Sequence, residues 1–136
     1  MPAITLTSDW NRQDHYLAAI KGKLFSVENN YRIIDINHNI KSYNSTQAAF
    51  VLRNAYNYFP EKSIHLILVN TDPGDQFKVL LVKANGHYFI GTDNGIFSMI
   101  LGETDSLVYE LDYSQKNKTF ISLDFFSEIA MKLASG

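Results

Sequence analysis

The feature that most constrains the fold is an almost continuously apolar segment at residues 64–69. A strand of this composition is buried on both faces, which is typical of a parallel sheet covered by helices. The turn-forming residues 70–75 follow it directly. The segment therefore predicts a central strand of an α/β sheet that ends in a polar loop.

The start of the chain predicts a strand, a polar loop and a helix. Ile4 and Leu6 alternate with threonines, as in a half-buried strand, and polar residues end this pattern at Asp9. Apolar residues then recur at helical spacing over residues 15–27, with Asp14 as the candidate N-cap. In open α/β sheets ligands bind at the carboxyl ends of strands, so Asp9 is the first candidate binding residue. A role in capping the helix or shaping the loop is the alternative.

The next part of the chain repeats this order of elements. Residues 31–36 predict a second strand, and His38 lies in the polar stretch at its carboxyl end. Residues 46–59 predict a helix capped by Ser45 or Asn44 and stopped by a proline. The carboxyl ends of the first three strands are expected along one rim of the sheet.

The second half of the chain changes in pattern. Asn85-Gly86 separates two apolar runs, at residues 78–83 and 87–90, and this is a strong hairpin signal. A short helix, a strand and a final helix are predicted at residues 96–101, 107–111 and 124–133. The prediction is an α/β fold in a single domain, residues 1–136, with a mainly parallel central sheet flanked by helices and an added β-hairpin.

Composition narrows the classes of function. The net charge of −2 gives no basic surface for nucleic acid, and the absence of cysteine excludes disulfides and thiolate chemistry. No apolar run approaches the ~20 residues that span a membrane. The N-terminus has neither the basic nor the apolar region of a signal peptide, so the predicted location is the cytoplasm.

The candidate binding residues favour a nucleoside-like ligand. The sequence has neither common glycine-rich phosphate-binding motif, and its four histidines lack metal-ligand spacing. For His38 a structural role is favoured over contact with a ligand. Carboxylates suit a vicinal diol, and a tyrosine face suits a planar base. The acceptor-rich and aromatic residues expected at or near the rim are Asp9, Asp14, Tyr16, Tyr43, Asn70 and Asp72.

Several motifs in order resemble the N-terminal domain of the S-adenosyl-L-methionine (SAM) hydrolases, also called SAM hydroxide adenosyltransferases. The SAM-dependent fluorinases and chlorinases belong to the same superfamily. The resemblance extends over nearly the whole chain. The matching stretches are residues 4–9, Asp14-His15-Tyr16 with Lys21-Gly22, residues 34–40, Tyr58-Phe59-Pro60, residues 86–95 and residues 119–136. The most specific motifs are Ile-Asp-Ile-x-His at residues 34–38 and Gly-x-Asp-Asn-Gly at residues 91–95.

The resemblance implies an activity and an assembly. SAM would be the substrate, cleaved by water into adenosine and methionine, with no cofactor. Members of the family form trimers, so a homotrimer is expected. Their ligand lies between the N-terminal domain of one subunit and a β-rich C-terminal domain of the next. Residues 1–136 match only the first of these two domains, so the second is not expected within them.

The resemblance also assigns roles to individual residues. Asp9 matches the aspartate that holds the ribose hydroxyls. Asp14 and Tyr16 match the segment near the methionine end, and Tyr43 matches an aromatic position near the ribose.

The catalytic positions depart from the family pattern. The hydrolases place an aspartate, an arginine and a histidine around the water, and a gapless alignment gives Asn70, Phe77 and Ile121 there. A shift of two residues makes Asp72 the aspartate but does not restore the histidine. Two expectations therefore stand, a SAM hydrolase that uses Asp72 or Asn70, and a catalytically degenerate module that binds SAM or a nucleoside or serves assembly.

Overall fold

The computed structural model describes residues 2–9, 15–26, 31–41, 44–69, 78–92, 95–111 and 126–134. The elements are β1 (Ala3–Ser8), α1 (His15–Phe25), β2 (Arg32–Asn37), α2 (Ser45–Ala55), β3 (Ile64–Leu68), β4 (Val79–Ala84), β5 (His87–Thr92), α3 (Ile96–Leu101), β6 (Ser106–Leu111) and α4 (Ser127–Ala134).

These strands form one six-stranded mixed sheet in the order β2-β1-β3-β5-β4-β6. β1 runs parallel to β2 and β3, and β3 runs parallel to β5. β4 runs antiparallel to both β5 and β6. The predicted α/β class is confirmed, and the strand pairings make the sheet mixed.

Helices cover both faces of the sheet, which explains the apolar composition of its central strands. Every residue of β1 and β3 is buried. On one face Ile4 and Leu6 pack with Ile20 of α1 and with Phe126 and Ala130 at α4. The opposite face packs against α2 and α3. Strands buried in this way stabilise the fold through apolar area on both sides, at about 25 cal/mol per Å².

Helix α2 shows how the sequence sets the boundaries of an element. The Asn44 side chain accepts a hydrogen bond from the Gln47 backbone N–H at 2.9 Å, so Asn44 is the N-cap. The helix ends at Ala55 and continues as a 3₁₀ turn, Tyr56–Tyr58. This end is earlier than the pattern predicts. The tighter turn leads the chain into Pro60, whose ring cannot continue an α-helix.

Asn85 and Gly86 connect β4 to β5 as a two-residue hairpin loop. Their φ angles are 53° and 80°. Both residues therefore adopt the left-handed conformation that a type I′ turn requires, which asparagine and glycine tolerate best.

A buried chain of polar side chains links β1, β3 and β5 towards the amino end of β3. Thr5 Oγ1 lies 2.7 Å from His65 Nδ1, and His65 Nε2 lies 3.0 Å from His87 Nδ1. Phe89 stacks on the His65 ring at a centroid distance of 5.0 Å. We call Thr5, His65 and His87 the histidine pair network. His65 and His87 therefore have the structural role that their positions inside strands predict.

The surroundings of this network keep both imidazoles neutral. Burial, together with the neighbouring His87, lowers the pKa of His65 from 6.5 to about 3. Burial also lowers the pKa of His87, although the Glu61 carboxylate partly opposes that shift. A neutral pair suffices for the hydrogen bonds, because each imidazole can donate with one nitrogen and accept with the other.

Strand β6 forms one edge of the sheet and is largely exposed. Leu107, Val108 and Tyr109 keep 57%, 56% and 50% of their surface accessible. Exposed apolar surface is expected of a subunit that associates, but the predicted homotrimer stays a prediction. Within the described residues no helix is long and apolar enough to cross a membrane.

The capping of α2 can be tested by substitution at the two residues that the sequence leaves as alternatives. Asn44→Ala should lower the free energy of unfolding by about 1 kcal/mol, because the Gln47 N–H loses its acceptor. Ser45→Ala should change it by less than about 0.5 kcal/mol. Urea titrations of both variants measure the difference, and equal losses would contradict the assignment of the cap.

The histidine pair network should make the protein less stable in acid. Between pH 6.5 and about 3 the unfolded chain binds a proton at residue 65 that the folded protein excludes. The contribution of His65 to the free energy of unfolding is therefore at its maximum above pH 6.5. It is lost as the pH falls, by up to ~1.4 kcal/mol per pH unit. Urea unfolding at pH 7, 6, 5 and 4.5 measures this slope.

The matched variants for this experiment are His65→Asn and His15→Gln. The first removes the buried titrating group and should flatten the dependence of stability on pH. The second removes an exposed imidazole and should leave the wild-type slope. An unchanged slope in His65→Asn would show that the acid sensitivity arises elsewhere.

Candidate functional site

The carboxyl ends of β1, β2 and β3 lie at one edge of the sheet because these strands are parallel. In the sheet, β2 lies on one side of β1 and β3 lies on the other side, so the order in which strands are added reverses at β1. Sheets of this kind bind ligands at such a switch point, outside the carboxyl ends of the two strands where the order reverses. The candidate site is therefore the rim beyond β1 and β3.

Asp9 lies at this switch point. It follows β1 directly, and its backbone N–H donates to the Leu68 carbonyl of β3 at 3.3 Å. The residue is only partly buried. A partly exposed carboxylate between two parallel strand ends can face a ligand while its backbone is held by the neighbouring strand.

The structure brings His38 to the same edge, immediately after β2. The other residues that the sequence nominates lie outside the described part of the chain. These are Asp14, Tyr43, Asn70 and Asp72, together with the side chain of Tyr16. The same holds for Phe77 and Ile121. Their expected roles stay predictions.

A second chain of polar side chains joins α1, β2 and β1 at the rim. Lys21 Nζ donates to Asp35 Oδ2 at 2.6 Å, and Asp35 Oδ1 lies 2.7 Å from His38 Nε2. His38 Nδ1 lies 2.5 Å from Ser8 Oγ. We call Lys21, Asp35, His38 and Ser8 the rim network. His38 and Ser8 are fully buried, whereas Lys21 and Asp35 reach solvent.

A register irregularity makes this arrangement possible. Leu6 pairs with Asp35, but the next residue, Thr7, pairs with Asn37, so Ile36 is skipped in the ladder between β1 and β2. In a regular strand, residues three apart point to opposite faces. The extra residue shifts this alternation, as a bulge does, and lets His38 reach back to Asp35.

The Asp35 carboxylate is the charged centre of the rim network. Burial acts to raise the pKa of Asp35, but hydrogen bonds from Lys21 and His38 outweigh it, and the pKa is lowered overall. An ionised carboxylate only accepts, so His38 Nε2–H donates to it. In the neutral imidazole, Nδ1 then accepts from the Ser8 hydroxyl.

Sequence reasoning did not identify Ser8, Asp35 or Lys21 as partners of His38. It favoured a structural role for His38 without naming its partners, which are the side chains of Asp35 and Ser8. The spacing of Asp35 and His38 in the Ile-Asp-Ile-x-His motif was the available signal. It points to a pair only once the skipped residue in β2 is known.

Thr7, which lies between these networks on β1, differs from its neighbours. Its hydroxyl is fully buried and has no hydrogen-bond partner within the described residues. The side chain still suits a strand, because threonine is β-branched. Its hydroxyl is thus a local cost in the strand that leads to Asp9.

The described residues also include a cavity that lies away from the rim. An open cavity of about 250 Å³ lies at the opposite end of the sheet, between the Asn85-Gly86 loop and the start of β6. No cluster of three or more His, Asp or Glu side chains in the described part of the chain could hold a metal ion.

The chain is similar to proteins of one family. The sequence model of the SAM hydroxide adenosyltransferase N-terminal domain matches residues 4–136. An (R)-S-adenosyl-L-methionine hydrolase from Methanocaldococcus jannaschii is 30% identical over 96% of this chain and 52% of its own length. A protein of the same name from Salinispora arenicola is 29% identical over 99% of this chain and 54% of its own length. The chain spans about half the length of these curated relatives.

Solved structures show the same fold. The crystal structure of an uncharacterized conserved protein from Thermotoga maritima aligns with a TM-score of 0.87 and 27% identity. The alignment covers 98% of this chain and 54% of that one. With a family match over almost every residue, this chain belongs to the SAM hydroxide adenosyltransferase N-terminal domain family.

Proposed function

We propose that this chain binds SAM at the rim beyond β1 and β3 and takes part in its hydrolysis to adenosine and methionine. The position of Asp9 carries the proposal, because open α/β sheets bind ligands at a switch point of this kind. Family membership then supplies the class of ligand. The hydrolase names of two relatives support the reaction.

The proposed reaction is a displacement at the ribose C5′ carbon. The oxygen of water bonds to C5′ as the C5′–S bond breaks, and the bonding pair goes to sulfur. The sulfonium becomes the neutral thioether of methionine, and the water loses one proton to an acceptor. Because a sulfonium is already a good leaving group, the protein mainly orients and desolvates the water.

Asp72 and Asn70 have different capacities in this step. A carboxylate can take the proton of the attacking water, whereas an amide can only hold the water by hydrogen bonds. We therefore assign proton acceptance to Asp72 and positioning of the water to Asn70. Asp14, Tyr16 and Tyr43 complete the proposed binding set.

Asp9 has the proposed role of holding the ribose diol. Each carboxylate oxygen can accept from one hydroxyl, and hydrogen bonds to a charged group contribute about 1.5–3 kcal/mol. Asp9→Ala should therefore weaken adenosine binding by about tenfold or more. Asp9→Asn keeps one acceptor without the charge, so its affinity for adenosine should lie between those of the wild type and Asp9→Ala. Isothermal calorimetry with adenosine measures all three proteins.

The matched control is Asp105→Ala. Asp105 is an exposed carboxylate at the start of β6, at the opposite end of the sheet. Its removal changes the net charge by the same amount and should leave the affinity unchanged. Wild-type binding that Asp9→Ala does not weaken would remove Asp9 from the site.

Turnover is tested separately from binding. Because the ligand of the family also contacts a C-terminal domain of the next subunit, the assay uses this chain combined with such a domain. Incubated with SAM, the assembled protein should release adenosine, detected by chromatography. Asp72→Asn should slow this release by about 10²-fold or more, because the acceptor for the proton is lost. Adenosine affinity should stay within about twofold. Equal rates in both proteins would contradict the role of Asp72.

A second candidate function follows from the residues at the family's catalytic positions. Asn70, Phe77 and Ile121 replace the aspartate, arginine and histidine in a gapless alignment. They favour a module that binds SAM or a nucleoside without cleaving it. Measurable binding of SAM with no release of adenosine would select this candidate over the hydrolase.

A further inference from the structure

We propose that the rim network is a positioning device for Asp9, and that His38 is its central positioning residue. The inference rests on the proposed function, because it concerns how Asp9 is held for a ligand. His38 itself is fully buried. Its effect on binding would therefore pass through Ser8 and not through contact with the ligand.

The first step is the connectivity of the rim network. It ties three elements together, with Lys21 on α1, Asp35 on β2 and Ser8 at the last position of β1. Within the rim network, His38 contacts both Asp35 and Ser8. Loss of its imidazole would therefore separate β1 from the charged part of the network.

The second step is the order of donors. Lys21 donates to Asp35, and the ionised carboxylate requires the Nε2–H of His38 as donor. When the imidazole is neutral, its Nδ1 carries no proton and accepts a hydrogen bond from the Ser8 hydroxyl. For a neutral His38 each bond thus fixes the direction of the next, from Lys21 through Asp35 and His38 to the Ser8 hydroxyl.

The third step connects Ser8 to Asp9. The planar peptide bond joins them, so holding Ser8 restricts the orientation of the next residue. The Asp9 N–H is held on the other side by the Leu68 carbonyl, at 3.3 Å. Two adjacent residues are thus fixed from β2 and from β3. A binding carboxylate needs support of this kind, since a small displacement of the group weakens its bonds to the ligand.

The test is a double-mutant cycle with adenosine as the probe. His38→Ala should weaken adenosine binding by about tenfold in the wild-type background. In the Asp9→Ala background it should have almost no further effect, because the residue being positioned is already absent. Calorimetry on the full 136-residue chain gives the four affinities, under conditions where each protein is folded.

Two further variants separate positioning from general stability. His87→Ala removes a buried imidazole of the histidine pair network, remote from the rim, and should leave adenosine affinity within about twofold. Lys21→Met removes the solvent-accessible end of the rim network and should weaken affinity by about two- to threefold. The second variant keeps the test valid if His38→Ala does not fold.

A measurement without ligand also tests whether the rim network holds Asp9 in position. Amide hydrogen exchange at Asp9 should be about tenfold faster in His38→Ala, or in Lys21→Met if the first does not fold. Exchange at the buried Leu66 of β3 should stay unchanged. Unchanged exchange at Asp9, or additive losses of affinity in the cycle, overturns the inference. If the wild-type chain binds neither adenosine nor SAM, the proposed function fails, and the exchange rates alone decide whether the network holds Asp9.

Discussion

The constraint on which the structure depends is that β1 and β3 are buried on both faces. A polar side chain on either strand cannot rely on solvent, and a buried polar group without a partner costs about 1–3 kcal/mol. A partner on a neighbouring strand removes this cost. Thr5 finds His65 on β3, and Ser8 finds His38 after β2. The two polar networks are consequences of burying the centre of the sheet.

The two networks differ in charge, and the difference follows from their exposure to solvent. The histidine pair network is enclosed by aromatic rings, and burial keeps His65 and His87 neutral. The rim network instead ends in solvent, where Lys21 and Asp35 form an ion pair. Charge is tolerated there because water still reaches both groups. One end of the sheet is thus built for stability, and the other presents ionised groups beside the candidate ligand site.

Sequence patterns predict the elements better than the contacts between them. Apolar periodicity predicts the α/β class, Asn85-Gly86 predicts the turn between β4 and β5, and the rule for strand ends places Asp9 at the rim. The contact between His65 and His87 depends on which strands become neighbours, and no local pattern encodes that. The pairing of Asp35 with His38 depends on one skipped residue between β1 and β2. A shift of one residue reverses the face of every later side chain, so such a pair follows only from the register.

Polar residues along β1 change in role from one end to the other. Thr5 belongs to a satisfied interior network, and Ser8 joins the rim network. Between them Thr7 has a buried hydroxyl with no partner in the described part of the chain. Valine would fill the same volume without that cost, so β1 is not optimised for stability near its carboxyl end. Local rules of this kind are most often broken next to functional sites. Thr7 lies two residues before Asp9, so this cost falls in the part of β1 that leads to the switch point.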